Sequence, residues 1–557
     1  MTRKRLGIYL LTGALMMVLL AAVLVSGEED PGLAFRLGQE TIYPWAGENG
    51  ESYLFVPSGG RLEELYLAGE KPWQIGSLRL SPGGSCQELE WNRPFPMAEG
   101  GSLTFLPSEN LPSLFLSTAS GSMDYIHRDK DNQEGGRLRL YDSQGQLSCA
   151  GEFELLKGRG NSYDYLEKKP YNFTLPQEQD LLGMGKARRW ILLSGGVDPT
   201  QMKNKMVYDL ADQIGLPYSP QSRWVELYLN GEYAGLYLLT ERNEVHPSRV
   251  DIPAASGFLV SKEQDYNLEG GDDPYFVTEA GVHLRQRHNG LTQTGMEGIL
   301  QQVENAILSP EGVDPVSGRH YSQLIDLDSW VKKYIVEEFF DGIDAGVASQ
   351  YFYYDGEKVY AGPVWDYDDT MGAGIGVHEI DGVVMLNQVP EIFYGHRSKQ
   401  TPWYHGLYQK PEFRQLVGDT YRQLLPQLKA MLDQSLPGYV RETETGRMRD
   451  QIRWNGRDSS RKIGEMSEYL LDRMAFLEQA WQKDSPYLEI HVDYCHPEFE
   501  CQYVVFDYAL LPGQCLPELA PIPGYDWYVA ETGSPFQPDQ PIYEEMTLHL
   551  VKNAENP

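Results

Sequence analysis

An apolar run that stops abruptly in a cluster of acids constrains this chain most. Val359-Tyr360-Ala361-Gly362-Pro363-Val364-Trp365 leads straight into Asp366, Asp368 and Asp369, and a glycine-rich loop, Gly372-Ala373-Gly374-Ile375-Gly376, follows. The run has the composition of a buried strand, and carboxylates at a strand's end can hold a hard metal ion. Upstream, Asp344 lies between a helical pattern, Trp330 to Phe340, and a strand pattern, Tyr351 to Tyr354. Phosphoryl transfer uses two separated acids on rigid elements: one orients the attacking hydroxyl and the other holds magnesium against the phosphates. Acids that only cap strand ends would look the same in isolation, so the other motifs must decide.

At 557 residues the chain exceeds one core, and about three or four domains are expected. Its 80 acidic against 47 basic residues give a net charge of −33, which disfavours nucleic acid and anionic membrane surfaces and favours a basic partner. The five cysteines show no Cys-x-x-Cys spacing, so neither a zinc site nor a disulfide scaffold is expected. One pair, Cys495 with Cys501, is compatible with an oxidising location. The eleven histidines form no zinc signature, and no Gly-x-Ser-x-Gly elbow occurs.

Residues 1–27 read as an export segment. Arg3, Lys4 and Arg5 precede the apolar stretch Leu6 to Val25, and Glu28-Glu29-Asp30 follow it. The stretch is close to the roughly 20 residues that span a bilayer, with its positive charge on the inner side. Val25-Ser26-Gly27 is a poor cleavage site, which favours an uncleaved anchor over a removed signal. The protein is therefore expected to be exported and displayed at the cell surface, membrane-anchored or secreted.

Residues 28–111 break into short apolar runs separated by Pro57-Ser58-Gly59-Gly60 and Pro82-Gly83-Gly84, the pattern of a small β domain. Residues 112–483 mix strands with long helices, such as Pro402 to Met431 and Lys462 to Trp481, and predict an α+β domain. Within it Asp198 can cap a helix with Pro199 in its first turn and Gln201 reaching back, and Gly215 can stop it. Asn230-Gly231 joins strands Arg223 to Leu229 and Tyr233 to Thr240 as a hairpin. Residues 486–557 hold twelve acids and one basic residue, Lys552, and read as a separate acidic β module.

Four ordered blocks resemble the spore-coat protein H (CotH) kinase family, an atypical branch of the protein kinases. Lys157-Gly158-Arg159-Gly160-Asn161-Ser162 with Lys168-Lys169-Pro170-Tyr171 is similar to the family's "GRGNS…KKPY" signature. Trp190 to Ser194, Asp198 and Asn204-Lys205 follow its second block, and Val225 to Glu241 its "NGEY" hairpin. Asp344-Ala345-Gly346, Ser349, Tyr351 and Tyr353, then Gly362 to Asp368, look like its "DAG…GPVWDYD" core. The chain departs from the pattern at Lys203, where the family has arginine, and at Gly342, where it has asparagine.

The resemblance implies a bilobal, kinase-like α+β domain at 112–483, flanked by small β domains, that uses ATP and Mg to phosphorylate serine or threonine in a surface or spore-coat protein. It implies Asp366 as the metal ligand, with Asp368 and Ser349 as further ligand candidates, and Asp344 as the base. Arg159, Asn161, Ser162, Lys168, Lys169 and Lys205 are then candidate nucleotide contacts, because a glycine-flanked turn exposes N–H groups and the cations match phosphate charge. Glu241 would lie in the hinge facing adenine. The expected acceptor is basic and serine-rich. The alternative is a catalytically weak surface interaction protein with a kinase-like domain, for which the glycine at position 342 is the motive.

The tail has its own resemblance. Leu511-Pro512-Gly513-Gln514, Pro523-Gly524-Tyr525, Trp527-Tyr528 and Met546-Thr547-Leu548 look like the internalin-type Listeria–Bacteroides repeat. That implies a β-grasp-like module that contacts other surface components.

Overall fold

The computed structural model describes residues 32–263, 274–342, 348–372, 377–380, 383–386, 402–456, 459–482, 485–494, 496, 505–516, 519, 521–537 and 539–553. The export segment, Asp344, Cys495 and Cys501 lie outside the described residues. Among the described residues no helix is long and apolar enough to cross a membrane.

The chain divides into two compact units. One runs to Ser108 and takes in Gly231–Tyr233. It is built of short strands: Ala34–Leu37, Glu40–Ile42 and Leu65–Ala68 form one sheet, and Glu51–Val56 runs parallel to Ser102–Pro107 in another. Phe35 meets Phe105 edge-on at 5.4 Å in its core.

The other unit carries the acids. It begins with β1 (Ser113–Thr118), β2 (Gln133–Tyr141), β3 (Leu147–Gly158), β4 (Tyr171–Asp180), β5 (Lys186–Leu193), α1 (Lys203–Gln213), β6 (Ser222–Leu229) and β7 (Glu232–Glu241). The seven strands close into a barrel in the order β1-β2-β3-β4-β5-β7-β6, sealed by a parallel pairing of β1 with β6. Alternation decides what faces inward: Leu114 and Leu116, Leu138 and Leu140, and Val225 and Leu227 fill the barrel. The β6 residues of opposite parity, Glu226 and Tyr228, meet Arg449 instead. Asn230 and Gly231 have φ of 50° and 86°, the double left-handed turn that the Asn-Gly hairpin signal demands.

Next come β8 (Phe258–Lys262), β9 (Tyr275–Val277), β10 (His283–Asn289), α2 (Gln293–Leu308), α3 (Leu327–Phe340), β11 (Gln350–Tyr354) and β12 (Val359–Ala361). The strands form one antiparallel sheet in the order β9-β10-β8-β11-β12. Asp326 caps α3 by accepting from Ser329 N at 2.9 Å, and Asp341 ends it in the left-handed region. The helix is pinned to the sheet where Trp330 Nε1 donates to the Val359 carbonyl at 2.9 Å. This sheet, α1, α3 and the later helices share one large core.

The expected helix Pro402 to Met431 is two helices, α4 (Pro402–Tyr408) and α5 (Pro411–Ala430). Proline has no N–H to continue a helix and pushes the residue before it out of helical backbone; Lys410 is extended (φ −91°, ψ 121°) and Pro411 starts the new helix. α6 (Leu436–Trp454) and α7 (Ser459–Ala480) follow. The tail holds β13 (Leu488–Asp493), β14 (Val505–Leu510), β15 (Tyr525–Val529), β16 (Ser534–Pro535) and β17 (Met546–Lys552), ordered β14-β13-β17-β15-β16 around its own core of Ile490, Val492, Trp527 and Leu548.

The mixed helix and strand content agrees with an α+β domain. The first seven strands of this unit form a closed barrel. The helix expected from Pro199 starts at Lys203, because Gln201 takes a left-handed φ of 58° and sends its amide to Asp450 rather than back to the cap. Met202 rather than Asp198 is its N-cap residue, but the Asp198 carboxylate accepts from Met202 N and Lys203 N at 2.9 and 3.0 Å.

Candidate active site

The acidic segment leaves β12 and crosses the start of α1. Trp365 is buried and stacks on Tyr208 of α1, with ring centroids 6.0 Å apart. Asn204, in the first turn of α1, accepts from Tyr367 N at 2.9 Å and donates its amide N–H to Asp368 Oδ1. Lys203 donates to the carbonyls of Asp368 and Thr370 at 2.9 and 2.8 Å. Arginine's fork is not needed for two carbonyl oxygens, so lysine suffices at this position. The N-terminus of α1 also favours the negative charge beside it.

Asp366 takes a φ of 71° and Ser349 a φ of 57°, left-handed conformations that side-chain-bearing residues rarely adopt. The two are joined: Ser349 Oγ donates to Asp366 Oδ2 at 2.9 Å. Strained backbone of this kind persists where its surroundings hold it in place.

The opposite wall is the turn after β3. Gly158 packs so closely on Tyr163 that a Cβ would lie 2.4 Å from its ring, and Gly160 has a φ of 83°. Only glycine suits either position. Arg159 lies between them, its guanidinium 5.4 Å from the Trp365 ring centre. Arg159, Asn161, Ser162, Gln350, Asp366 and Asp368 line one cleft of about 300 Å³.

Burial, with Asp366 and Asp198 adding negative charge, pushes the Asp368 carboxyl up to about 7 against the pull of Arg159 and Lys203. Burial also raises Asp369, and Tyr208 is raised by burial and then by Asp366 and Asp368. The native chain thus holds the Asp368 proton beyond the unfolded chain's 3.8. Its contribution to stability is full below that value and is lost as pH rises through about 7. Urea unfolding between pH 5 and 8 should show a loss on the order of 2–4 kcal/mol in the parent that Asp368→Asn removes. Equal slopes in the two proteins would refute the assignment.

Four expected nucleotide contacts lie elsewhere. Lys168 is buried, paired with Asp450 at 2.6 Å and donating to the Leu236 carbonyl. Lys169 donates to the Tyr163 carbonyl at 2.8 Å and sits over that ring. Lys205 pairs with Asp209, one turn on along α1, near the Trp224 and Tyr439 rings. Glu241 is tied to Arg249 at 2.6 Å and to Gln221 N, with burial pushing its carboxyl up to about 7. None of the four lines the cleft of Asp366 and Asp368. In each case a local partner satisfies the charge.

Sequence reading missed Trp365, Tyr208, Glu337 and Gln350. The signal for Glu337 was available: apolar residues surround it along α3, with Tyr334, Ile335, Val336, Phe339 and Phe340 all buried, and every residue from Lys333 to Phe340 is buried with them.

A family model described as CotH kinase protein matches residues 156–477, from the end of β3 to α7. The chain belongs to the CotH kinase family. No curated protein matches it. The CotH match contains all the residues lining the cleft and points to a kinase-like function.

Proposed function

We propose that this chain is an ATP- and magnesium-dependent protein kinase that moves the γ-phosphoryl group to serine or threonine hydroxyls of a surface or spore-coat protein. What carries the reading is the convergence of Asp366, Asp368 and Arg159 on one polar cleft inside the family match. Magnesium is commonly held by one or two carboxylates together with the nucleotide's phosphates. Two neighbouring acids whose repulsion helps hold Asp368 protonated near neutrality suit it as a donor set. Asp366 and Asp368 are the residues that would hold the ion, which would supply neutralisation of phosphate charge during transfer.

The protein's own groups have the remaining work. Ser349 orients the Asp366 carboxylate and Asn204 that of Asp368. Arg159, stacked on Trp365, offers a fixed fork to phosphate oxygens, and Asn161 and Ser162 add polar contacts along the same wall. Asp344 orients the attacking hydroxyl. Asp344→Asn should spare nucleotide binding and lower turnover by about 10² to 10⁴; lost binding with unchanged turnover would reverse its role.

The test is incubation of residues 28–557 with labelled ATP, magnesium and a basic, serine-rich protein. Label in the acceptor is expected, and its absence at saturating nucleotide would refute the reading. Gly342 lines the cleft with no side chain where the family pattern has asparagine, and this favours the alternative, a weakly active surface interaction protein. Nucleotide binding without transfer would support that alternative.

With Arg3, Lys4 and Arg5 held inside, the kinase domain should lie outside the cytoplasm. The tail's central parallel pair, β13 with β17, suits the β-grasp-like surface module proposed for it. Protease added to wall-stripped cells should digest the kinase domain; protection until lysis would reverse the orientation.

A further inference from the structure

Beside the acids lies a buried charged cluster, whose Glu337, Gln350 and Tyr367 form part of the cleft wall. Lys333 and Glu337, one turn apart on α3, are 1% and 2% exposed and form an ion pair. Lys333 Nζ also donates to Gln350 Oε1 at 2.8 Å and lies 3.1 Å from the Tyr367 hydroxyl. That hydroxyl donates to Glu337 Oε1 at 2.6 Å. Burying a lysine and a glutamate is a poor way to gain stability; the neighbouring Glu338 is also buried, but it pairs with Arg473 of α7, whereas Lys333 and Glu337 turn towards the acidic segment.

The connectivity supplies a reason for that placement. Ser349 and Gln350 are adjacent at the start of β11, and Asp366 and Tyr367 are adjacent on the acidic segment. Ser349 holds Asp366, while Gln350 and Tyr367 meet through Lys333. Tyr367 is also held by Asn204 at its backbone N–H, by Thr370 Oγ1, which donates to its carbonyl at 2.8 Å, and by Phe340 edge-on to its ring at 6.3 Å. The left-handed turn at Asp366 sets its carboxylate and the Tyr367 ring to different tasks. A backbone state of that kind needs an anchor, and Tyr367 is flanked by the two carboxylates that the kinase reading gives to the metal.

We infer that Lys333, Glu337 and Gln350 act as positioning residues, holding Tyr367 so that Asp366 and Asp368 keep the geometry that receives a divalent cation. This rests on the kinase reading for what the cation does, but not for whether it binds. Groups that orient metal ligands commonly change metal affinity about 10- to 100-fold when altered.

Two variants of the full chain test it. Tyr367→Phe keeps the ring and removes the hydroxyl; the double variant Lys333→Met with Glu337→Met removes both charges together, so that neither is left buried alone. Uptake of Mn²⁺, with and without ATP, is measured by paramagnetic resonance, and amide exchange is followed across residues 362–372. Both variants should bind Mn²⁺ about 10-fold or more weakly and exchange faster at Tyr367–Thr370, with α1 unchanged. Faster exchange with parental Mn²⁺ affinity would make the cluster a packing feature only and overturn the inference. So would unchanged exchange, or a parent protein that takes up no Mn²⁺ under either condition. Parental uptake that the variants weaken, without transfer to any acceptor, would uphold the positioning role while refuting the kinase reading.

Discussion

Asp366→Ala should abolish phosphoryl transfer, lowering it by about 10³-fold or more, while the protein stays folded. The magnitude follows from the several kcal/mol by which a positioned cation stabilises transition-state charge, at about 1.4 kcal/mol per factor of ten. The fold should survive because Asp366 contributes repulsion to Asp368, and the substitution removes it. Alanine is less suited than aspartate to a φ of 71°, so a small stability loss offsets part of that gain. Asp366→Asn tolerates the left-handed turn and isolates the charge. Single-turnover transfer and circular dichroism on both variants are the measurements. Parental activity in either variant would end the case for Asp366 as metal ligand.

Glu226→Ala should destabilise the second unit by about 3–5 kcal/mol, the usual cost of leaving a buried charge without its partner. Arg449 of α6 and Glu226 on the outer face of β6 are both fully buried and meet at 2.8 Å. Arg449 also donates to the Tyr228 hydroxyl at 3.0 Å. The pair clamps α6 to the barrel, and removing the acid takes the carboxylate of this pair from a fully buried guanidinium. Replacing both partners, Glu226→Leu with Arg449→Met, should cost far less, because the desolvation of two charges is removed with the pair. Urea unfolding of the single and double variants checks the sign. A single variant no less stable than the double would show that the charge is not buried in solution.

Where a residue's structure depends on its neighbours along the chain, the sequence was sufficient. Asn230-Gly231 made a left-handed hairpin turn, since few other pairs adopt positive φ twice. The Asp198 carboxylate accepts from N–H groups at the start of α1, though the helix begins later than the proline suggests and its N-cap is Met202. Pro411 was legible as a break by the same local rule and was overlooked inside an apolar pattern. Gly158 to Ser162 and the acids from Asp366 onward were legible because a glycine-flanked turn and a strand ending in carboxylates each carry their chemistry in a few consecutive residues. Arg159 to Ser162 and Asp366 to Asp369 do line one cleft.

Partner choice across the chain could not be read in this way. Lys168 and Lys169 follow each other directly, yet one meets Asp450 from α6 and the other its own turn at Tyr163. Lys205 stands next to Asn204, which holds Asp368, but a helix turns about 100° per residue and sends the lysine to Asp209. Barrel closure needed β1 beside β6, a pairing between strands over a hundred residues apart that no local pattern specifies. The sequence by itself determined which residues could turn, cap, or end a strand in charge, because those properties belong to backbone torsions and adjacent side chains. Only the tertiary structure decided which charges were neutralised in the core and which were left facing the cleft, because that depends on the elements packed against them.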